Sequence, residues 1–324
     1  MAKMLGRLRR RLHRIATWQT PAAPFAKIDP ARRSAAVLLH IPTSDGSGQA
    51  CHPSVVHAPE GFGGFCYWMA NTPYPANSHK LENPELFASH DGLFWEVPAG
   101  VDNPLVPPPP GDSRHYHSDP SLLLHDGKLW LYFRTSDEEV RPRRDWLSVI
   151  VSSDGRNWSA PQAVLDDDRG ALLLSPSVRT INHEFMMWTV EAEAGSAKLG
   201  VKRRRSADGF RWSAPEDAVL IWPGAPLEPW HIDVTQVGSE LAMIFSARAP
   251  SGARTERFHT AFGDGLRWNV IKHDDDKLCG FESAWPYKPS LLPPAPGRPS
   301  GWLYTSSAGA DRVWYTALRP GPFS

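Results

Sequence analysis

The chain has 324 residues, enough for one large domain or two ordinary ones, so only a repeat or a linker can decide between them. Lys plus Arg and Asp plus Glu balance at 35 each, which argues against a global field that would gather nucleic acid or an acidic polymer. Fourteen Trp, 32 Pro and 25 Gly describe a turn-rich, aromatic-rich chain, and Cys51, Cys66 and Cys279 have neither disulfide-framework nor zinc spacing, so an all-β protein of a reducing compartment is expected.

Residues 1–33 form a basic N-terminal segment. It lacks the uninterrupted apolar stretch of a secretory signal, and nothing later reaches transmembrane length, so a cytoplasmic location is expected. Met4, Leu5, Leu8, Leu12 and Ile15 recur at helical spacing among Arg7, Arg9, Arg10, Arg11 and Arg14. Residues 3–15 thus read as a basic amphipathic helix able to touch an anionic membrane; a docked terminal helix is the alternative.

Residues 34–324 read as one repeating domain. "SAAVLLHI" (34–41) is an apolar strand, followed by His52-Pro53-Ser54 at the head of another. That phrase returns as Asp119-Pro120-Ser121, Ser175-Pro176-Ser177, His231-Ile232-Asp233 and Lys288-Pro289-Ser290, at steps of 67, 56, 56 and 57 residues. A second marker keeps the same beat: "SHDGLFW" (89–95), "SSDGRNW" (152–158), "SADGFRW" (206–212) and "FGDGLRW" (262–268). Asp-Gly between strands predicts tight hairpins, because Gly accepts positive φ and Asp bonds the turn backbone. Trp95, Trp158, Trp212 and Trp268 are then turn anchors that pack between neighbouring sheets. Each unit also carries a second strand, such as "KLWLYFRT" or "ELAMIFSA". Four short strands repeated five times predict a five-bladed β-propeller. The long first unit holds a Pro-rich loop, "NPLVPPPPGDSRHYH" (103–117). The fifth unit is one strand short, and residues 34–41 are the expected donor that closes the ring.

These features, with "DPSLLLHDGKLWLYFR" (119–134), resemble the five-bladed propeller glycoside hydrolases, the arabinanase, xylosidase and invertase superfamily that includes family 43. SxDGxxW is shared with sialidases, and "HPSVV", "YWMANTPYP", "ENP" and "WHIDV" look most like sialidase-like or family-43-like members. The resemblance implies three cavity carboxylates opening the first three blades, one protonating the leaving oxygen and another acting as base or nucleophile. Only the second is matched, by Asp119. His52 stands at the first position and Ser175 at the third.

The blade openings His52, Asp119, Ser175, His231 and Lys288, with Asp233, should ring one mouth. Asp119 is expected to be catalytic, with His52 held protonated by it as acid and Glu191 or Asp233 as base. Arg134, Arg248, Glu82, Asn83, Lys288 and His231 are candidate sugar-binding groups, as are the rings of Trp230 and Tyr74. Glu191 as a solvated strand-end carboxylate and the rings as core packing are the alternatives. "HYH" (115–117) and "WHID" (230–233) match no standard metal spacing. No cofactor is expected beyond a structural Ca2+ that clustered oxygens in the axial channel would take. The expected activity is glycosidic cleavage of a carbohydrate. Loss of two family carboxylates would suit a non-catalytic glycan-binding propeller, and Arg134, Arg248 and Lys288 would suit a phosphorylase or glycosyltransferase.

Overall fold

The computed structural model describes residues 36–110, 114–167, 170–192, 196, 198–271, 285–309 and 311–323. The basic segment over 1–33, its expected helix and Cys279 lie outside them. None of the described helices is long and apolar enough to cross a membrane. The described residues are all-β apart from two single 3-10 turns, Pro75–Asn77 and His79–Leu81.

A short strand β1 (Val37–Leu39) precedes the repeats. The first repeat contains β2 (Ala50–Phe62), β3 (Phe65–Pro73) and β4 (Glu85–Ser89); the second β5 (His115–His125), β6 (Lys128–Asp137), β7 (Arg144–Ser152) and β8 (Gln162–Asp167). The third contains β9 (Leu172–Ile181), β10 (Glu184–Ala192), β11 (Gly200–Ser206) and β12 (Glu216–Ile221). The fourth contains β13 (Glu228–Val237), β14 (Glu240–Arg248), β15 (His259–Gly263) and β16 (Arg267–Ile271); the fifth β17 (Trp285–Leu292), β18 (Trp302–Ala308) and β19 (Trp314–Pro320).

Among the described residues these strands make four sheets, where five separate ones were expected. The reason is a parallel pairing of β12 with β16, Leu220 opposite Trp268, which joins the third and fourth repeats into one eight-stranded sheet. The expected donor strand is present: β1 pairs antiparallel with β19, Val37 opposite Leu318, and completes the sheet of the fifth repeat. Pairing the first strand with the last covers an open edge of that sheet.

The first strands of the repeats form a closed ring, β2 against β5, β5 against β9, β9 against β13, β13 against β17, and β17 against β2. The recurring phrase builds that ring. At its first residue the pairing with the second strand slips, between Cys51 and Ser54, Ser118 and Ser121, Pro229 and Ile232, and Pro286 and Pro289, with the matching break on β10 between Trp188 and Val190. His52, Asp119 and Ser175 adopt positive φ there, 58, 50 and 49°. Such bulges turn one side chain out of the ladder, and the Pro that follows has no N–H to leave unpaired. The third residue then reaches the next repeat. Ser54 Oγ accepts from Leu122 N, Ser121 Oγ from Val178 N, Ser177 Oγ from Val234 N, Asp233 Oδ2 from Leu291 N and Ser290 Oγ from Val55 N, at 2.7–3.0 Å. The phrase is therefore a joint: its first residue goes to the centre and its third locks the ring.

The Asp-Gly turns perform the same service at the periphery. In the second repeat Asp154 Oδ1 accepts from the backbone N–H groups of Arg156 and Asn157, and Gly155 takes φ 75°. Each turn also abuts the second strand of the preceding repeat: Gly155 against Trp68, Gly209 against Tyr132, Gly265 against Trp188 and Gly92 against Tyr304. Tyr132, Tyr304 and Trp188 each donate to the carbonyl of the glycine they meet. The Trp of the motif begins a returning strand only at Trp268; Trp95, Trp158 and Trp212 remain in the loops that follow the turns. A Cβ on Gly155 would stand 2.4 Å from the Trp68 ring, whereas one on Gly127, also at positive φ, would meet nothing within 4 Å. Gly155→Ala is expected to cost about 2–4 kcal/mol and Gly127→Ala only about 1 kcal/mol, read as the difference between their urea midpoints.

Candidate functional site

The bulges bring three of the five openings to one point. His52 Nε2 lies 3.5 Å from Asp119 Oδ1, and His231 Nδ1 lies 3.1 Å from the same oxygen. All three side chains are buried. None of these atoms has an aligned hydrogen bond among the described residues, although the other atoms of His52 and Asp119 are held. His52 Nδ1 is 2.9 Å from Thr72 Oγ1 and 3.4 Å from Glu82 Oε1, which fixes the ring with Nε2 toward Asp119. Asp119 Oδ2 lies 3.1 Å from Arg134 Nε, whose N–H also donates to Ser118 Oγ. One donor atom from each of His52, Asp119 and His231 falls within 4.8 Å of the others, the spacing of ligands around a single metal ion; Cys51, His52 and Glu82 form a second such group.

Burial pushes both imidazoles down, to about 4, against the pull of the Asp119 charge. Burial also works against that charge, but the two imidazoles and the Arg134 guanidinium hold the carboxyl well below the usual range. At neutral pH the cluster is thus one carboxylate and two neutral imidazoles with lone pairs available. Burial disfavours the His52 imidazolium that was expected as an acid, while the Asp119 and Glu82 carboxylates beside the ring pull the other way. Imidazole and carboxylate are the donors of zinc-like and first-row transition ions, not the oxygen set that Ca2+ takes.

Above the cluster runs an aromatic wall. Tyr287 packs 4.3 Å from the His231 ring and 5.2 Å from that of His52; Trp314 follows at 4.9 Å from Tyr287, and Tyr74 at 5.4 Å from Trp314. Tyr74 then meets His79, which stacks on Tyr116 at 4.5 Å. His79 is the residue that sequence reading missed. Its side chain is 43 % exposed, and its Nδ1 lies 2.9 Å from Glu82 Oε2. Glu82 therefore bridges an exposed imidazole and the buried cluster. The signal was local: His79 and Glu82 are three apart in "SHKLEN", the spacing that makes neighbours on one helical turn.

The other expected residues divide. Glu82, Arg134 and Tyr74 belong to the site as described. Lys288 is buried and donates to Ser175 Oγ and the Ile232 carbonyl at 3.0 and 3.1 Å, so these two openings bind each other, and the Lys288 charge is near enough to act on His52, His231 and Asp119. Asp233 is a strand clamp, its oxygens taken by Ser177, Arg179 and Leu291 N. Glu191 is held by Arg204 and Thr189. Asn83 donates to the Lys80 carbonyl within the 3-10 turn. Arg248 pairs with Glu228 and lies over Trp230, which meets the edge of His231.

No family model matches the chain. A curated relative, the A type blood N-acetyl-alpha-D-galactosamine deacetylase of Flavonifractor plautii, is 26% identical over 84% of this chain, which spans 40% of that protein. This chain therefore covers less than half the length of that relative. Among solved structures, the N-acetylgalactosamine deacetylase of that organism in complex with blood group B trisaccharide superposes with a TM-score of 0.77 at 20% identity, over 89% of this chain and 95% of the other. A family-43 enzyme of Xanthomonas citri complexed with xylose reaches 0.62 at 12% identity, over 90% and 91%. The GH32 beta-fructofuranosidase of Bombyx mori reaches 0.59 at 15%, over 90% and 62%. The chain thus has a propeller-like all-β fold related to several families of carbohydrate-active enzymes, a deacetylase among them.

Proposed function

We propose that this protein is a metal-dependent hydrolase that removes the N-acyl group of an amino sugar, and that its five ringed strands are the inner strands of a five-bladed propeller. The observation that carries the reading is the convergence of His52 Nε2, Asp119 Oδ1 and His231 Nδ1, buried and without aligned partners, at the centre of that ring. Two neutral imidazoles and one carboxylate fit a divalent transition ion. Such an ion, when bound, polarises a carbonyl and lowers the pKa of water. His52, Asp119 and His231 would hold it; Thr72 and Glu82 orient His52, and Arg134 orients Asp119. His79, steadied by Glu82 and open to solvent, takes the proton of the attacking water and returns it to the leaving amine.

Glycosidic cleavage finds less support. The position where the resemblance implies a third carboxyl holds Ser175, bound to Lys288, and Asp233 and Glu191 are engaged elsewhere. The likeness to the deacetylase, whose name gives an N-acetylated galactosamine as its substrate, favours the amide bond. The test uses oligosaccharides ending in N-acetylhexosamines and measures released acetate and new reducing ends side by side. Acetate release that is lost on chelation and restored by Zn2+ or Mn2+ is expected. New reducing ends without acetate would establish the glycosidic reading instead, and neither product would leave a glycan-binding protein.

A further inference from the structure

Next to the cluster stands a cation that the proposed reaction does not use. The Cζ of the Arg254 guanidinium lies over the Trp285 ring, 3.3 Å from its centroid, with Trp230 at 5.4 Å and Tyr287 at 5.9 Å. Tyr287 is the ring that packs on His231 and His52, and Trp230 meets the edge of His231. Arg254 is thus one aromatic ring away from the proposed metal ligands. It is exposed, and no described carboxylate pairs with it. Its neighbour across the strand bridge, Arg248, shares the Trp230 face but is paired with Glu228. A guanidinium held against an indole face keeps N–H groups free to receive an oxyanion through two parallel hydrogen bonds.

We infer that Arg254, seated on Trp285, is a subsite for an anionic group on the substrate, a carboxylate or phosphate carried by the sugar or its neighbour in the chain. The inference rests on the amino-sugar reading for its substrate but is tested by binding alone. Calorimetric titration with D-glucuronate, inorganic phosphate and neutral D-glucose is expected to show binding of at least one anion, weakening steeply with salt, and none of glucose. Arg254→Gln should weaken the anion at least tenfold, and Arg254→Lys should restore part of it, because charge returns without the planar fork. Preference for glucuronate would identify an acidic sugar, and preference for phosphate a phosphorylated one. Absence of anion binding, or equal binding by the wild type and a folded Arg254→Gln protein, overturns the subsite and leaves the deacylation reading untouched; loss of acetate release with anion binding intact does the reverse.

Discussion

Asp119→Asn is expected to lower acetate release at least about a thousandfold in kcat/KM and to remove the bound metal. Asp119 supplies the only carboxylate of the His52–Asp119–His231 group, and its ionised state is what two neutral imidazoles need to balance a divalent charge. The substitution also leaves Arg134 buried with Asp145, 3.9 Å away, in place of Asp119 at 3.1 Å. Removing one partner of a buried pair costs about 3–5 kcal/mol, so the melting temperature is measured with the activity. His231→Ala keeps the Arg134 pair and should lose metal and activity alike. If either variant is folded, free of metal and still releases acetate, the metal-dependent mechanism is wrong.

His79→Gln should separate proton transfer from metal binding. The His79 imidazole is joined to the cluster through Glu82, not through the three converging atoms, so metal content should equal that of the wild type. The loss should fall on kcat, by about 10²–10⁴-fold, the usual worth of a positioned acid–base group. Glu82→Gln would act through two imidazoles at once and lower both metal affinity and kcat. A His79→Gln enzyme with unchanged kcat would reduce His79 to part of the aromatic wall between Tyr74 and Tyr116.

Much of the scaffold was legible because its signals are local and repeated. An Asp-Gly pair makes the same turn wherever the chain presents it, and Asp154 shows the reason in its bonds to Arg156 and Asn157. The spacing of His52, Asp119, Ser175, His231 and Lys288 likewise announced five equivalent strands, and the deficit in the fifth unit announced the pairing of Val37–Leu39 with β19. The fusion of two repeats through β12 and β16 carried no such signal, since a parallel pairing of edge strands has no turn between them.

The site was only partly legible, and for a different reason. The sequence by itself determined that polar residues of several kinds open equivalent strands, because a shared bulge and a ring of Ser and Asp joints send each toward the axis. Only the tertiary structure decided which of them meet. Lys288 reaches across to Ser175 and the Ile232 carbonyl, Asp233 is consumed by Arg179 and the β17 backbone, and Glu191 is neutralised by Arg204. His52, Asp119 and His231 are left with unmatched atoms facing one another, in surroundings dry enough to keep both imidazoles neutral. Burial and the choice of hydrogen-bond partner are properties of the closed ring, so a donor set drawn from three separate repeats has no spacing that a linear sequence can display.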